Sequence, residues 1–179
     1  MAAFKLGDFT SARNYFQLEL NEAKQAGDKD RELNAYTSLG ISYDCLGDHK
    51  KAIEFHQQVL SILKEIGNKD LEGVPYTNLG VAYHSLGDYE KAIDCHQQAL
   101  SIAKETGHRY LEGKAYENLG NAYKCLDDCK EAIEFHKQNL SIAKEIGDKG
   151  SEGATYTNLG RSEERRVGKE CRSRWSPYR

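Results

Sequence analysis

A 40-residue repeat runs through the chain and constrains its architecture more than any other feature. Residues 31–70 share 21 of 40 identities with residues 71–110, which share 22 of 40 with residues 111–150. Partial copies flank these three. Residues 1–30 align with 41–70 at Leu6, Gly7, Asp8, Ala12, Gln17, Leu20 and Lys24, among others. Residues 152–160 repeat Glu72-Gly73 and Tyr76-Thr77-Asn78-Leu79-Gly80 as Glu152-Gly153 and Tyr156-Thr157-Asn158-Leu159-Gly160. The chain therefore partitions into a partial copy at 1–30 that supplies a second helix, full copies at 31–70, 71–110 and 111–150, the start of another at 151–160, and an unrelated segment at 161–179.

Each copy reads as two helices. The first carries an apolar stripe at helical spacing, Tyr36, Leu39, Gly40, Tyr43 and Leu46, and the next copy fills the same positions with Tyr76, Leu79, Gly80, Tyr83 and Leu86. Gly47 and Gly87 end this helix, because glycine tolerates the left-handed C′ conformation. Asp127 holds the same place in the third copy, and Asp is among the side chains that accept positive φ best. Asp48, Asp88 and Asp128 follow as N-caps of a second helix, whose stripe is Ala52, Ile53, His56, Leu60 and Leu63. Gly67, Gly107 and Gly147 close that helix, with Asn68 and Asp148 as caps of the next. Gly40, Gly80 and Gly120 recur inside the first helix at a propensity cost of ~1 kcal/mol each, which predicts close approach by the paired helix. Pro75 stands where Ala35 and Ala115 stand. Either it kinks a helix that begins near Lys69, or the helix begins nearer Gly73. No helix pair of this kind buries its stripe alone. Stacked copies do, so the expected fold is an all-α solenoid of antiparallel helix pairs, with Tyr83 inside the stack.

The motif Tyr36-Thr-Ser-Leu39-Gly40-Ile-Ser-Tyr43…Ala52, recurring as Tyr76…Leu79-Gly80…Tyr83…Ala92 and Tyr116…Leu119-Gly120…Tyr123…Ala132, resembles the tetratricopeptide repeat. The 40-residue period, with Asn-Leu-Gly-x-Ala-Tyr and Leu-Gly-Asp-Tyr-Glu-Lys-Ala-Ile, is similar to the Pins/LGN-type G-protein-signalling modulators and to the tetratricopeptide repeat protein 28 group. Kinesin light chain repeats are slightly longer and the likeness to them is weaker. The resemblance covers residues 1–160 and implies a groove, lined by the first helix of each repeat, that binds a peptide of a partner protein. The matching positions are Asn34, Thr37, Ile41, Asp44 and Cys45 in the first full copy, Val74, Thr77, Val81, His84 and Ser85 in the second, and Lys114, Glu117, Asn121, Lys124 and Cys125 in the third. A chaperone-tail clamp needs Lys where Thr37, Thr77 and Glu117 stand, so that clamp is absent. The Pins/LGN groove favours Arg before Ala and Asn after Leu-Gly. Only Lys114 and Asn121 approach this, while Ile41 and Val81 replace the Asn. Ile41, Val74 and Val81 are apolar on a face that should be wet, which points to a recognition patch with apolar anchors over the first two repeats. Polar or acidic partner groups are expected over the third.

The repeat stops in mid-helix after Gly160. The string from Arg161 to Arg179 resembles a translated sequencing-library adapter, and the expectation is a non-native tail without defined fold. The tail carries seven Arg/Lys and three Glu, so removing it from a chain of net charge −3 leaves 18 basic and 25 acidic residues, a net −7. Its basic character is then no argument for nucleic-acid binding, and no nucleic-acid partner is expected. No apolar run reaches the ~18 residues of a membrane span. A signal peptide is not visible, and the unpaired cysteines fit a reducing compartment, so a cytoplasmic location is expected.

Chemistry-bearing motifs are missing. His56, His96 and His136 share one repeat position 40 residues apart. They are expected to fill helix–helix contacts rather than bind metal, since zinc sites cluster their ligands at short spacing. Cys45 and Cys125 share a position, Cys125 and Cys129 flank a turn, and Cys171 belongs to the tail. Asn139-Leu-Ser141 is a glycosylation sequon placed in mid-helix. No phosphate loop, nucleophile elbow or H-E-x-x-H occurs. The expectation is a non-enzymatic scaffold with no cofactor and no metal, binding a protein or peptide. The alternatives are a structural or oligomerising segment, or regulatory repeats of a larger protein whose catalytic or switch domain lies elsewhere. Tyr156 and Leu159 have no completed repeat beyond them, so self-association is expected at that end.

Overall fold

The computed structural model describes the backbone of residues 9–174 and the side chains of residues 9–169. The repeat-aligned Leu6, Gly7 and Asp8, the Cys171 side chain and the last five residues lie outside them. Among the described residues all regular structure is helical. In chain order the helices are α1 (Phe9–Ala26), α2 (Lys29–Cys45), α3 (His49–Glu65), a 3₁₀ turn (Lys69–Leu71), α4 (Gly73–Ser85), α5 (Tyr89–Glu105), α6 (Arg109–Cys125), α7 (Cys129–Ile146) and α8 (Lys149–Arg174). The chain forms two compact units, residues 1–95 and 96–179, divided within α5.

The start and stop signals are local. Asp48 and Asp88 accept from the backbone N–H of Lys51 and Lys91 at 3.3 Å, and Asp128 accepts from that of Glu131 at 3.2 Å. Asp28 and Asp148 cap α2 and α8 in the same way, and His108 Nδ1 caps α6. The turn glycines Gly47 and Gly87 have φ of 79° and 80°, and Asp127 takes the same left-handed conformation at 64°. Asn68 makes no side-chain cap, because the 3₁₀ turn intervenes. Pro75 explains that turn. Its missing N–H and its ring exclude it from a helix interior, so α4 begins at Gly73 with Pro75 in its first turn. Its 13 residues compare with 17 in α2 and α6.

In the first unit α1–α2, α2–α3 and α3–α4 pack as consecutive pairs. Leu20, Ala35, Tyr36, Leu39, Val59, Ile62 and Leu63 are buried together, with Phe16, Leu33, Tyr43 and Phe55 against them. Ile53, Leu60, Leu79 and Ala82 form a second cluster, covered by Tyr76, Tyr83 and Cys95. Each fully buried aliphatic side chain stabilises by ~1.5–3 kcal/mol. Tyr83 is half-buried, short of the expected place inside the stack. Tyr43 stacks on Phe55 and Tyr123 on Phe135, both at 5.3 Å. Cys95 occupies the matching position in the middle copy, so Tyr83 has no ring there to stack on. A further periodicity ties each second helix to the helix that follows. Lys24, Lys64, Lys104 and Lys144 lie over the rings of Tyr36, Tyr76, Tyr116 and Tyr156 at 5.1–5.9 Å.

In the second unit α6, α7 and α8 pack in sequence. Asn139 of α7 is buried and its Nδ2 donates to Thr155 Oγ1 of α8 at 2.7 Å. The sequon asparagine therefore faces the core and is committed. The matching pair elsewhere is apolar, Val59 with Pro75, so this polar pair is particular to α7–α8. Thr155→Val removes the bond from Asn139 and the donation of Thr155 Oγ1 to Ser151 O at 2.6 Å. It leaves the buried Asn139 amide without this partner and is expected to lower stability by roughly 1–3 kcal/mol, while adding Asn139→Val recovers part of it. Urea unfolding of the single and double variants checks this. A double variant weaker than the single one contradicts it.

The expectation of a tail without defined fold is not met over residues 161–174, which continue α8. The reason lies at three positions. Where earlier copies read Leu46-Gly47-Asp48, the tail reads Arg166-Val167-Gly168, which offers neither a turn glycine at the second place nor a capping Asp at the third. Nothing stops the helix. Ser162 lies buried at the register of Ala122, and Arg165 Nε pairs with Asp127 Oδ1 at 3.3 Å.

Candidate functional site

The interior glycines of the first helices position everything else. A Cβ on Gly40 would lie 2.6 Å from Nδ1 of His56, and one on Gly120 would lie 2.6 Å from Cε1 of His136, both impossible contacts. The helix pair closes until an imidazole lies against bare backbone. His56, His96 and His136 are fully buried, as helix-contact residues would be. His56 Nε2 lies 3.2 Å from Asp44 Oδ2, and His49 Nδ1 lies 3.0 Å from Asp44 Oδ1. Burial lowers the His136 pKa to about 4, Lys124 adding to the effect and Glu117 opposing it. Among the described residues no group of three or more His, Cys, Asp or Glu is placed to hold a metal.

With the stripe turned inward, the expected groove residues occupy the opposite side of the first helices. On α2 and α4, Asn34, Ile41, Val74 and Val81 are exposed, and Thr37, Asp44, Thr77 and His84 are half-buried. Their polar capacity is smaller than the sequence suggests. Thr37 and Thr77 donate to the carbonyls of Leu33 and Gly73, both at 2.9 Å, and the Asp44 carboxylate is held by two imidazoles. His84 packs edge-on to Tyr89. The aliphatic members are the open ones: Ile41 is 38% exposed, Val74 50% and Val81 42%. On α6, Lys114, Glu117, Asn121 and Lys124 are half-buried and pair along the helix. Lys114 Nζ meets Glu117 Oε2 at 2.9 Å, which raises the Lys114 pKa, and Lys124 Nζ meets Asn121 Oδ1 at 3.2 Å. That self-pairing reduces the charge α6 offers to an acidic partner. Cys45 and Cys125 are exposed thiols, and Cys129 is buried with its Sγ 3.9 Å from Asp127 O.

Sequence reasoning did not single out Leu33, Leu71 and Asn78. With Thr37, Val74 and Pro75 they line a cavity of about 120 Å³ among α2, α3 and α4. The only signal for it was the helix-breaking Pro75.

Consecutive helix pairs with glycine-on-imidazole contacts and Gly-Asp turns at a 40-residue period are the architecture of a repeat array. A tetratricopeptide repeat profile matches residues 1–65, 62–105 and 71–145, and the chain belongs to that family. Solved structures agree in fold. BtubC (BKLC) from P. vanneervenii superposes with a TM-score of 0.83 at 24% identity, over 92% of this chain and 69% of that one. A kinesin light chain array of nearly identical repeats from Podosopora anserina gives 0.77 at 19%, over 94% and 84%. The Sgt2 domain from Aspergillus fumigatus gives 0.64 at 24%, over 83% and 87%. Identities this low speak to the fold alone. No curated protein sequence matches the chain significantly. Among the described residues no helix is long and apolar enough to cross a membrane.

Proposed function

We propose that the chain is a non-catalytic protein-interaction scaffold that holds a partner peptide on the open face of its first helices, α2 and α4 above all. One observation carries the reading. Ile41, Val74 and Val81 are exposed on neighbouring helices, outside the stripe that packs the repeats. An apolar line of this kind gains little from water and much from a partner's side chains. Peptides selected from a random phage-displayed library on the intact chain test it. Ile41→Asp with Val81→Asp is expected to weaken them by at least ~10-fold, about 1.4 kcal/mol, while surface changes of this sort leave the melting curve nearly unmoved. Peptides indifferent to both substitutions overturn the reading.

Finer assignments belong to the same proposal. The 40-residue period supports a signalling scaffold of the Pins/LGN kind, acting in the cytoplasm on repeats at 31–70, 71–110 and 111–150. Residues 161–179 are read as adapter-derived, on the wording of their sequence; a contiguous exon encoding them after Gly160 would exclude it.

Self-association has an observation of its own. Tyr36 and Tyr116 are 7% and 8% exposed, whereas Tyr156 at the same repeat position is 51% exposed on α8. The half-exposed ring is expected to make sedimentation concentration-dependent, and Tyr156→Asp to remove that dependence. A monomer at every concentration removes this reading.

A further inference from the structure

We propose that the cavity between α2 and α4 is a specificity pocket for one branched aliphatic side chain of the partner peptide; this rests on the groove reading and names what the groove selects. The cavity has a buried floor of Val59, Leu63, Pro75 and the His56 ring, and a rim that includes the exposed Leu71 and Val74. Thr37 and Val74 are groove positions, so the pocket opens on the face that holds the peptide.

Its origin is local. Pro75 delays α4 to Gly73 and leaves Leu71 on the 3₁₀ turn, exposed, whereas Leu111 at the same repeat position lies within α6, half-buried. Among α6, α7 and α8 the matching positions are Gly113, Asn139, Ala143 and Ser151, and the space there is only about 10 Å³. There Asn139 bonds Thr155, which stands at the place of Pro75.

Size and charge define the occupant. At about 120 Å³ the cavity is smaller than the ~150 Å³ apolar cavity that takes benzene. A Leu, Ile or Val side chain fits that volume. No Asp, Glu, Lys or Arg lines it, and its one titratable side chain is the buried His56, whose Nε2 lies 3.2 Å from Asp44 Oδ2. An ammonium would shed its water with no carboxylate in the lining to replace it, and a carboxylate would meet only the imidazole of His56, already paired with Asp44. The one carboxylate among the groove positions of α2 and α4, Asp44, is already held by His49 and His56. The complementary segment is therefore uncharged where it meets this pocket.

The test uses the intact chain with ¹³C-labelled methyl groups and four probes: N-acetyl-leucinamide and its phenylalanine, aspartate and lysine counterparts. The leucine probe is expected to shift the buried methyls of Val59 and Leu63 saturably. The other three are expected to bind at least ~10-fold more weakly, and Thr37→Leu, which fills the cavity mouth, to abolish the response. Leu33→Phe fills it from the other wall and serves if Thr37→Leu does not fold. A leucine probe that gives no saturable shift, or one unaffected by either filling variant, overturns the pocket. The phage-selected peptides separate this proposal from the one beneath it. Peptides carrying a fixed aliphatic residue and losing affinity with Thr37→Leu support it. Peptides weakened by Ile41→Asp and Val81→Asp but indifferent to Thr37→Leu overturn the pocket and leave the groove standing. Peptides indifferent to all three overturn both. An oligomer of the unliganded chain that Thr37→Leu dissolves makes a second copy the occupant and overturns the peptide assignment.

Discussion

Gly120→Ala is expected to destabilise the protein by about 2 kcal/mol, although helix propensity alone favours alanine there by ~1 kcal/mol. The added methyl would fall 2.6 Å from Cε1 and Nδ1 of His136 and 2.9 Å from Nε2. The ring is fully buried and cannot swing into water. Overpacking of this kind costs ~1–3 kcal/mol, and a rigid ring met nearly face-on puts the cost at the upper end. The sign of the change is the informative part. If His136 is the obstacle, Gly120→Ala in a His136→Ala background should become neutral or stabilising, because the methyl then enters the space the ring vacated. Urea unfolding of the four proteins in a double-mutant cycle measures the coupling. Gly120→Ala that stabilises the wild-type background contradicts the contact. So does a penalty that survives His136→Ala.

That contact shows what the sequence makes legible and what it hides. Recurrence of Gly40, Gly80 and Gly120 at a costly position implied a close approach, and recurrence of His56, His96 and His136 implied a packing role. That these two sets meet one another was not readable from either. The caps and turns were plain, because Asp48, Gly47 and their equivalents act on their own backbone within a few residues. Even Asp127, a departure from the pattern, keeps the turn, since the backbone demands only a residue that tolerates positive φ.

What stayed hidden depends on pairs of departures. Asn139 and Thr155 each look like a misplaced polar residue, and they make sense only together, across two helices. Cys95 for Phe is a mild change in sequence, yet it removes the ring on which Tyr43 and Tyr123 stack in the other copies. Pro75 was seen as a problem for one helix, while its larger consequence is the cavity it leaves against the preceding pair. The groove positions were located by register, but register says nothing of side-chain commitments. Thr37, Thr77 and Asp44 spend their polar atoms within the protein, and Lys114 neutralises Glu117. What they leave open is aliphatic, so the proposed groove face is more apolar than the residue names suggest.

The second large effect is expected on acidification. Both ring nitrogens of His136 are buried and meet no hydrogen-bond partner. Burial, aided by Lys124 and opposed by Glu117, puts the folded pKa at about 4, against 6.5 for an ordinary imidazole. Between those two values the unfolded chain binds a proton that the folded chain refuses. The stability this neutral imidazole protects is therefore complete above pH 6.5 and declines as the pH falls toward 4. At ~1.36 kcal/mol per pH unit, the loss relative to neutral pH should reach roughly 2 kcal/mol by pH 5. Carboxylates do not confuse this window. Arg109 holds Glu145 low and Ser151 holds Asp148 low, so their contributions persist until the pH enters the carboxylate range. Denaturant unfolding from pH 7.5 to pH 5 should thus give a falling profile for the natural sequence and a flatter one for His136→Ala, whatever the offset from its cavity. Parallel profiles would mean that His136 keeps water or a partner within reach. The glycine contact at its ring would then be looser than the one that makes Gly120→Ala costly.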